Sequence, residues 1–319
     1  MSTPRIIAIV GATGAQGGGL ARAILQDPKS EFRVRALTRD PSSDRARALA
    51  EQGAEVVTAD LDDVESLTQA FRGAYGAFCV TNFWEHHSPE RELAQAETMA
   101  EAAQAEGLTH VIWSTLEDTR NWMALDDDRM PTLMDHYKVP HFDAKGEANQ
   151  FFRDRGVPTT FLLTSFYWEN LLQPGMIGPG PDGTRALTLP MGDKKLPGIA
   201  AEDIGRCAYG LLRGGPDAYV GQTVGVAGEH LTGTEMAAAL SRALGTTIRY
   251  NAVEPEAYRQ FGFPGADDLG NMFQFKRDFN ADFRSARDPA VARSLTPSLQ
   301  TFDAWLEANK DRFAAPQPA

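Results

Sequence analysis

Val10-Gly11-Ala12-Thr13-Gly14-Ala15-Gln16-Gly17-Gly18, directly after the apolar run 6–10, is the stretch that decides the fold. A short, wholly apolar, β-branched run is the pattern of a parallel strand covered by helices on both faces. Gly11 then supplies the tight turn, Gly14 lets backbone come next to a pyrophosphate, and Gly17 lets the following helix pack close to the sheet. The helix opening near Ala15 offers free N–H groups and the positive end of its dipole, so an anion can bind there without a lysine or arginine. Three spaced glycines alone read equally well as a tight, empty turn. After a buried strand and at the start of a helix, they read as a dinucleotide site.

Working outward, the first half of the chain alternates strand and helix. Strands are expected at 32–38, 55–59, 77–81, 110–114 and 159–163. Between them fall a polar helix over 43–51, a helix capped by Asp62 that turns Val64, Leu67, Ala70 and Phe71 toward the sheet, and an Ala-rich helix from Pro89 to about Glu106. This spacing suits βα units, whose crossovers force a parallel sheet. The expected fold is α/β: a Rossmann-type doubly wound parallel sheet with a smaller, irregular α/β C-terminal lobe. Residues 1–165 form the nucleotide-binding domain, the segment about 195–230 returns to it, and 166–194 with 231–319 make the smaller lobe. Within that second half, 174–183 (PGMIGPGPDG) reads as loop, helices are expected over 202–212, 234–243 and 301–309, and the tail AAPQPA reads as frayed.

Composition narrows the function classes. The 319 residues are 42% hydrophobic and 23% charged, as in ordinary globular proteins. A net charge of −12 disfavours direct nucleic-acid binding, which needs clustered cations. No apolar run of about 18 residues and no basic N-terminal leader occur, so neither membrane insertion nor export is expected, and the reading is cytoplasmic. Two cysteines, Cys79 and Cys207, cannot make a disulfide framework or a four-ligand zinc site. The adjacent His86 and His87 read as a solvated loop pair, and the acidic runs 60–63 and 126–128 as a cap and a surface loop; no metal is expected.

The end of the second strand selects the cofactor. NAD enzymes usually place a carboxylate there for the ribose 2′-OH, whereas a 2′-phosphate needs a cation. This chain reads Leu37-Thr38-Arg39-Asp40, with Arg39 offering a planar fork and Thr38 a hydroxyl. That favours NADP(H); Asp40 leaves room for NAD(H), bound more weakly. The plainer alternative is a surface arginine paired with Asp40.

VGATGAQGG, the Thr38-Arg39-Asp40 ending, TADLDD (58–63), VTNFWE (80–85), HFDAKGE (141–147), FYWENLL (166–172) and GFPGADDLGNMFQF (262–275) occur in one order. Together they resemble the NmrA-like family, atypical short-chain dehydrogenase/reductase relatives that include fungal nitrogen-metabolite repression regulators and an animal NADPH-sensing protein. The resemblance spans nearly the whole chain and is nearest the NADPH-sensing branch. It implies pyrophosphate contacts at Gly11, Ala12, Thr13, Gly14, Ala15 and Gln16, the 2′-phosphate at Arg39, and adenine beside Asp60 and Leu61. For the nicotinamide side it implies Val80, Thr81, Asn82, Lys145, Tyr167, Trp168, Glu169 and Asn170. Related sensors carry a lysine early in the helix after strand four, where this chain has Ala94, which implies a less basic phosphate shell.

Short-chain reductases typically carry Tyr-x-x-x-Lys, in which one helical turn sets a phenol beside an ammonium that lowers its pKa. Here the spacing is kept as His141-x-x-x-Lys145 without the tyrosine, and Tyr137 lies two turns too early, with Pro140 between. Ser114 stands where such enzymes keep a substrate-orienting hydroxyl. Loss of the phenol removes a contribution of about 10²–10⁴-fold unless His141 or Lys145 replaces it. A histidine beside a buried lysine is more often a packed or hydrogen-bonding residue. The expectation is a regulatory or redox-sensor protein, linked by the resemblance to transcriptional regulation, with a regulatory protein partner or a homodimer reading the cofactor-bound state. The alternative is an NADPH-dependent reductase of a small carbonyl or conjugated substrate using Lys145, alone or with His141.

Overall fold

A computed structural model describes residues 4–180 and 182–313. The chain divides into two units: residues 4–118, 144–164 and 201–224 in the first, and 119–143, 165–200 and 225–313 in the second. The sequence kept 119–143 within the first domain and returned a longer segment, 195–230, to it. The tail 314–319 lies outside the described residues.

The first unit is built on strands β1 (Arg5–Ile9), β2 (Phe32–Thr38), β3 (Glu55–Thr58), β4 (Gly76–Cys79), β5 (His110–Thr115) and β6 (Thr159–Leu163), with Thr223–Gly225 at one edge. In space the order is edge strand, β6, β5, β4, β1, β2, β3, and the five pairings among β1 to β6 are all parallel. The order reverses between β1 and β4, which is where open α/β sheets leave a crevice at their carboxyl ends. The unit's helices are α1 (Ala15–Leu25), α2 (Asp44–Glu51), α3 (Val64–Phe71), α4 (Phe83–His86), α5 (Pro89–Ala105), α6 (Pro140–Asp154, from residue 144 onward), α7 (Ala201–Gly214) and the short α8 (Pro216–Tyr219).

From Ile6 onward β1 is apolar because both of its faces are covered. Ala8 and Val10 join one core with Leu67 and Phe71 of α3, Ala96 and Met99 of α5, and Ala148 and Phe152 of α6. Strand alternation turns Ile7 and Ile9, both fully buried, to the opposite face. There α1 and α7 cross with backbone nearly touching: a Cβ on Gly19 would sit 2.6 Å from the Glu202 carbonyl, and one on Gly205 2.1 Å from the Leu20 nitrogen. The sheet is therefore doubly wound, a Rossmann-type fold.

Two local expectations are corrected. Asp63, not Asp62, caps α3, accepting from the Glu65 and Ser66 amides at 2.9 and 3.1 Å. Asp62 instead holds Arg91 at 2.5 Å and Gln95 at 2.8 Å on α5, a pairing that keeps its carboxyl below the usual range. Further on, the stretch 174–183 is not all loop: Ile177–Pro179 pairs antiparallel with Arg185–Leu189, which runs parallel to Ile248–Ala252. A second small sheet joins Glu229–Leu231, Leu196–Ile199 and Phe166–Tyr167. Both sheets belong to the second unit, as do Gly233–Leu244, with its Thr232/Glu235 capping box, and the helices from Pro255 to Asn309.

Candidate functional site: a dinucleotide cradle and a closed lysine cluster

The glycine turn has the geometry that its spacing requires. Gly11 takes φ +64°, a conformation that side chains other than glycine adopt at a cost. A Cβ on Gly17 would lie 2.5 Å from the Gly11 carbonyl, so α1 can start this close to β1 only with hydrogen there. Gly14 is the N-cap of α1 with no side chain on the helix amides, and the first turn holds no acidic residue. Gly11, Gly14 and Ala15 are exposed and Thr13 half-buried, while Ala12 and Gln16 are buried. The uncapped amides and dipole end suit a pyrophosphate. Gln16 is held by Ser114, whose hydroxyl donates to Oε1 at 2.8 Å, tying the end of β5 to the first turn of α1.

At the ends of β2 to β4 the other expected groups gather. Val80 lies against the turn, its Cγ1 3.3 Å from where a Gly11 Cβ would be. Arg39 does not pair with Asp40; its Nη1 bonds Glu85 of α4, which raises the guanidinium pKa further. Asp40 is turned into its own loop, accepting from the Ser42 hydroxyl and amide at 2.6 and 2.9 Å, bonds that lower its pKa. Thr38 accepts from the Asp40 amide at 3.2 Å. Arg45, absent from the sequence reading, donates to the Thr13 carbonyl at 3.4 Å and adds a second cation beside the turn. Asp60 accepts from the Asp62 amide at 3.0 Å, and Leu61 and Asn82 flank the same strand ends, half-buried and exposed.

Lys145 occupies a different kind of environment. Gly146 brings α6 against the chain at Asp118, where a Cβ would lie 2.3 Å from the amide nitrogen. From there Lys145 Nζ reaches Thr81 Oγ1 at 2.6 Å, the Thr81 carbonyl at 3.2 Å and Glu92 Oε1 at 2.7 Å. An ammonium has three donors, and all three are used. Glu92 is fully buried and also accepts from the Thr81 hydroxyl. Its second oxygen stands 3.6 Å from His86 Nε2. His86 is thus not solvated as the sequence suggested: its side chain is 7% exposed, Nδ1 accepts from the Ser88 amide, and burial lowers its pKa. Glu92 was not anticipated. The available signal was its place on a helical stripe with Ala96, Met99 and Ala103, all buried.

His141 sits one turn before Lys145 on α6 but its imidazole Nδ1 meets Asp268 Oδ1 at 2.6 Å, both residues buried in the second unit. Tyr137, also in that unit, bridges to Leu133 and carries the Arg120 guanidinium 5.3 Å over its ring. Tyr167, Trp168, Glu169 and Asn170 belong to the second unit as well. The Trp168 indole is 1% exposed, fitted against Gly198 and Gly228 and packed on Phe302 and Trp305, so it fills a core of the second unit. Glu169 accepts from Trp305 Nε1 at 3.0 Å.

The NmrA-like family profile matches residues 3–306. The chain belongs to the NmrA-like family. It is 31% identical over 285 residues to the NmrA-like family domain-containing oxidoreductase FrzB of a Cladobotryum species, covering 85% of this chain and 83% of that protein. Among solved structures it is similar to NmrA, a negative transcriptional regulator, in complex with NADP (TM-score 0.76, 23% identity, 96% of this chain and 95% of that one). It is also similar to the Citrobacter triphenylmethane reductase complexed with NADP(H) (TM-score 0.72, 20% identity, 97% and 99%). In this NmrA-like chain no helix of the described residues is long and apolar enough to cross a membrane, and no group of three or more His, Cys, Asp or Glu among them could hold a metal ion.

Proposed function

We propose that this chain binds NADP(H) on its glycine turn and acts as a cytoplasmic sensor or regulatory protein of the NmrA-like family, with NAD(H) as a weaker ligand. The uncapped N-terminus of α1 fits the pyrophosphate, Arg39 fits the 2′-phosphate, and bound NADPH would supply a hydride. One observation carries the regulatory reading: the Lys145 ammonium has its three donors engaged by Thr81 and buried Glu92, and no phenol precedes it by one turn. The phenol–lysine pair that would donate a proton to a substrate oxygen is thus missing from α6, while the phosphate cradle is intact. Regulation then requires that a protein partner or a second copy of the chain bind the loaded and empty states with different affinity. The net charge of −12 disfavours nucleic acid as that partner.

The second reading, an NADPH-dependent reductase of a small carbonyl or conjugated compound, is favoured by the buried His141–Asp268 pair and by the oxidoreductase name of the 31% identical relative. A carboxylate at Nδ1 orients an imidazole and suits it to exchange protons. Titration with NADP, NADPH, NAD and NADH, followed by NADPH absorbance across aldehydes, quinones and enones, tests the two. Tight NADP(H) binding with a change in oligomeric state or partner affinity and no turnover is the expected result. Turnover that Lys145→Ala or His141→Ala abolishes would overturn the regulatory reading.

A further inference from the structure

The 2′-phosphate cation of the proposed site already has an anion of its own. Arg39 Nη1 bonds Glu85 Oε1, and the side chains are 65% and 43% exposed, so the pair lies open to solvent where a ligand can reach it. Glu85 is held there by its helix. Phe83 anchors α4 in the core, and His87, at φ +53°, closes it with its amide bonded to the Phe83 carbonyl. Asp60 adds a second negative charge near Arg39, and Arg91 a positive one. Asp40, the carboxylate in the position usually given to the ribose 2′-OH, is turned away into the 40–43 loop.

We infer that Glu85 is a specificity-determining residue that competes with the ribose 2′-phosphate for Arg39, so that the chain discriminates less between NADP(H) and NAD(H) than Arg39 alone would make it. This rests on the NADP(H) reading of the glycine turn. A dianionic phosphate arriving at Arg39 must displace the Glu85 carboxylate and then remain close to it, whereas a 2′-OH does neither. An exposed ion pair is easily broken. The phosphate thus gains at Arg39 only what exceeds the Glu85 pairing, a handicap that weakens with salt because exposed charges are screened over about 10 Å at 0.1 M.

The test is calorimetric titration of the full chain with NADP and NAD, and with adenosine 2′,5′-bisphosphate and AMP as probes of the adenosine half alone, at low and high salt. The proteins are wild type, Glu85→Gln, Arg39→Ala and the double variant. Glu85→Gln is expected to raise the ratio of NADP to NAD affinity, and of bisphosphate to AMP affinity, about tenfold at low salt and less at high salt. In the Arg39→Ala background that gain should shrink to about twofold or less, because the competition is for Arg39. Ratios unchanged in Glu85→Gln, or a gain equally large without Arg39, would overturn the inference while leaving the cradle intact. Failure of the wild type to bind any of the four ligands would instead overturn the site itself. Glu85 is exposed, so the Gln variant keeps its fold, which an unchanged melting temperature without ligand would verify.

Discussion

The two ends of the crevice along the first unit's sheet are built on opposite plans. At Gly11–Gly17 the backbone is tightly fixed, yet its polar groups are left for something else: the first amides of α1 receive no side-chain cap. At Lys145 the polar groups are numerous but turned on one another, with Thr81, Glu92 and Lys145 using up each other's donors and one buried carboxylate oxygen facing His86. The first region presents uncapped amides that suit an anion. The second is a self-satisfied ionic knot. A site that binds a dinucleotide strongly and does little chemistry on it would combine these two plans.

The largest expected effect comes from opening the knot. Glu92→Ala leaves the Lys145 ammonium buried without its carboxylate and should cost about 3–5 kcal/mol in denaturant unfolding. Lys145→Met together with Glu92→Leu should recover most of that loss; a double variant as unstable as the single one would mean that the knot is not what holds α5 to α6. Next is Gly17→Ala, whose methyl meets the Gly11 carbonyl at 2.5 Å. It should cost about 1–3 kcal/mol and weaken NADP and NAD together, as read by titration. Arg39→Ala should weaken NADP(H) about tenfold or more and NAD(H) far less, whereas equal losses would remove the 2′-phosphate from Arg39. Smallest at neutral pH is an acid sensitivity away from both regions, which grows only as the pH falls. Burial lowers the pKa of His110, whose Nε2 lies 2.9 Å from Thr160 Oγ1, to about 4. As pH falls, the unfolded chain takes up the proton near pH 6.5 while the fold resists it. Stability from this group is therefore complete above about pH 6.5 and drops by roughly 1.4 kcal/mol per unit toward pH 4. Melting temperatures of wild type and His110→Gln should converge as the pH is lowered through that range.

What could be read from the sequence was what repeats or what sterics enforce. Strands β4 to β6 are buried on both faces and β2 alternates, while Gly11 is glycine because of its positive φ and Gly17 because a Cβ there has nowhere to go. Asp62 and Asp63 were exchanged because either side chain can cap α3, and only the position of Arg91, 29 residues away, decides which is free to. Glu92 was passed over because it is one of four glutamates in an Ala-rich helix, where acids read as a solvent face despite its place on the buried stripe, and its partners Thr81 and Lys145 come from other elements. Arg39 was recognised by position, but its tie to Glu85 spans 46 residues. The helices Pro255–Arg259, Ala266–Asp278, Asn280–Ser285 and Pro289–Leu295 escaped because most are too short to show a period.

The crossing of α1 and α7 has a consequence for how the protein is made. The helix whose uncapped amides suit a pyrophosphate rests on Gly205 and Glu202, residues translated almost two hundred positions later. A nascent chain that has completed β1 to β6 still lacks the surface on which that helix lies. The nucleotide cradle, encoded first, is thus among the last parts to become rigid, and a chain truncated before Ala201 should express its signature motif without being able to use it.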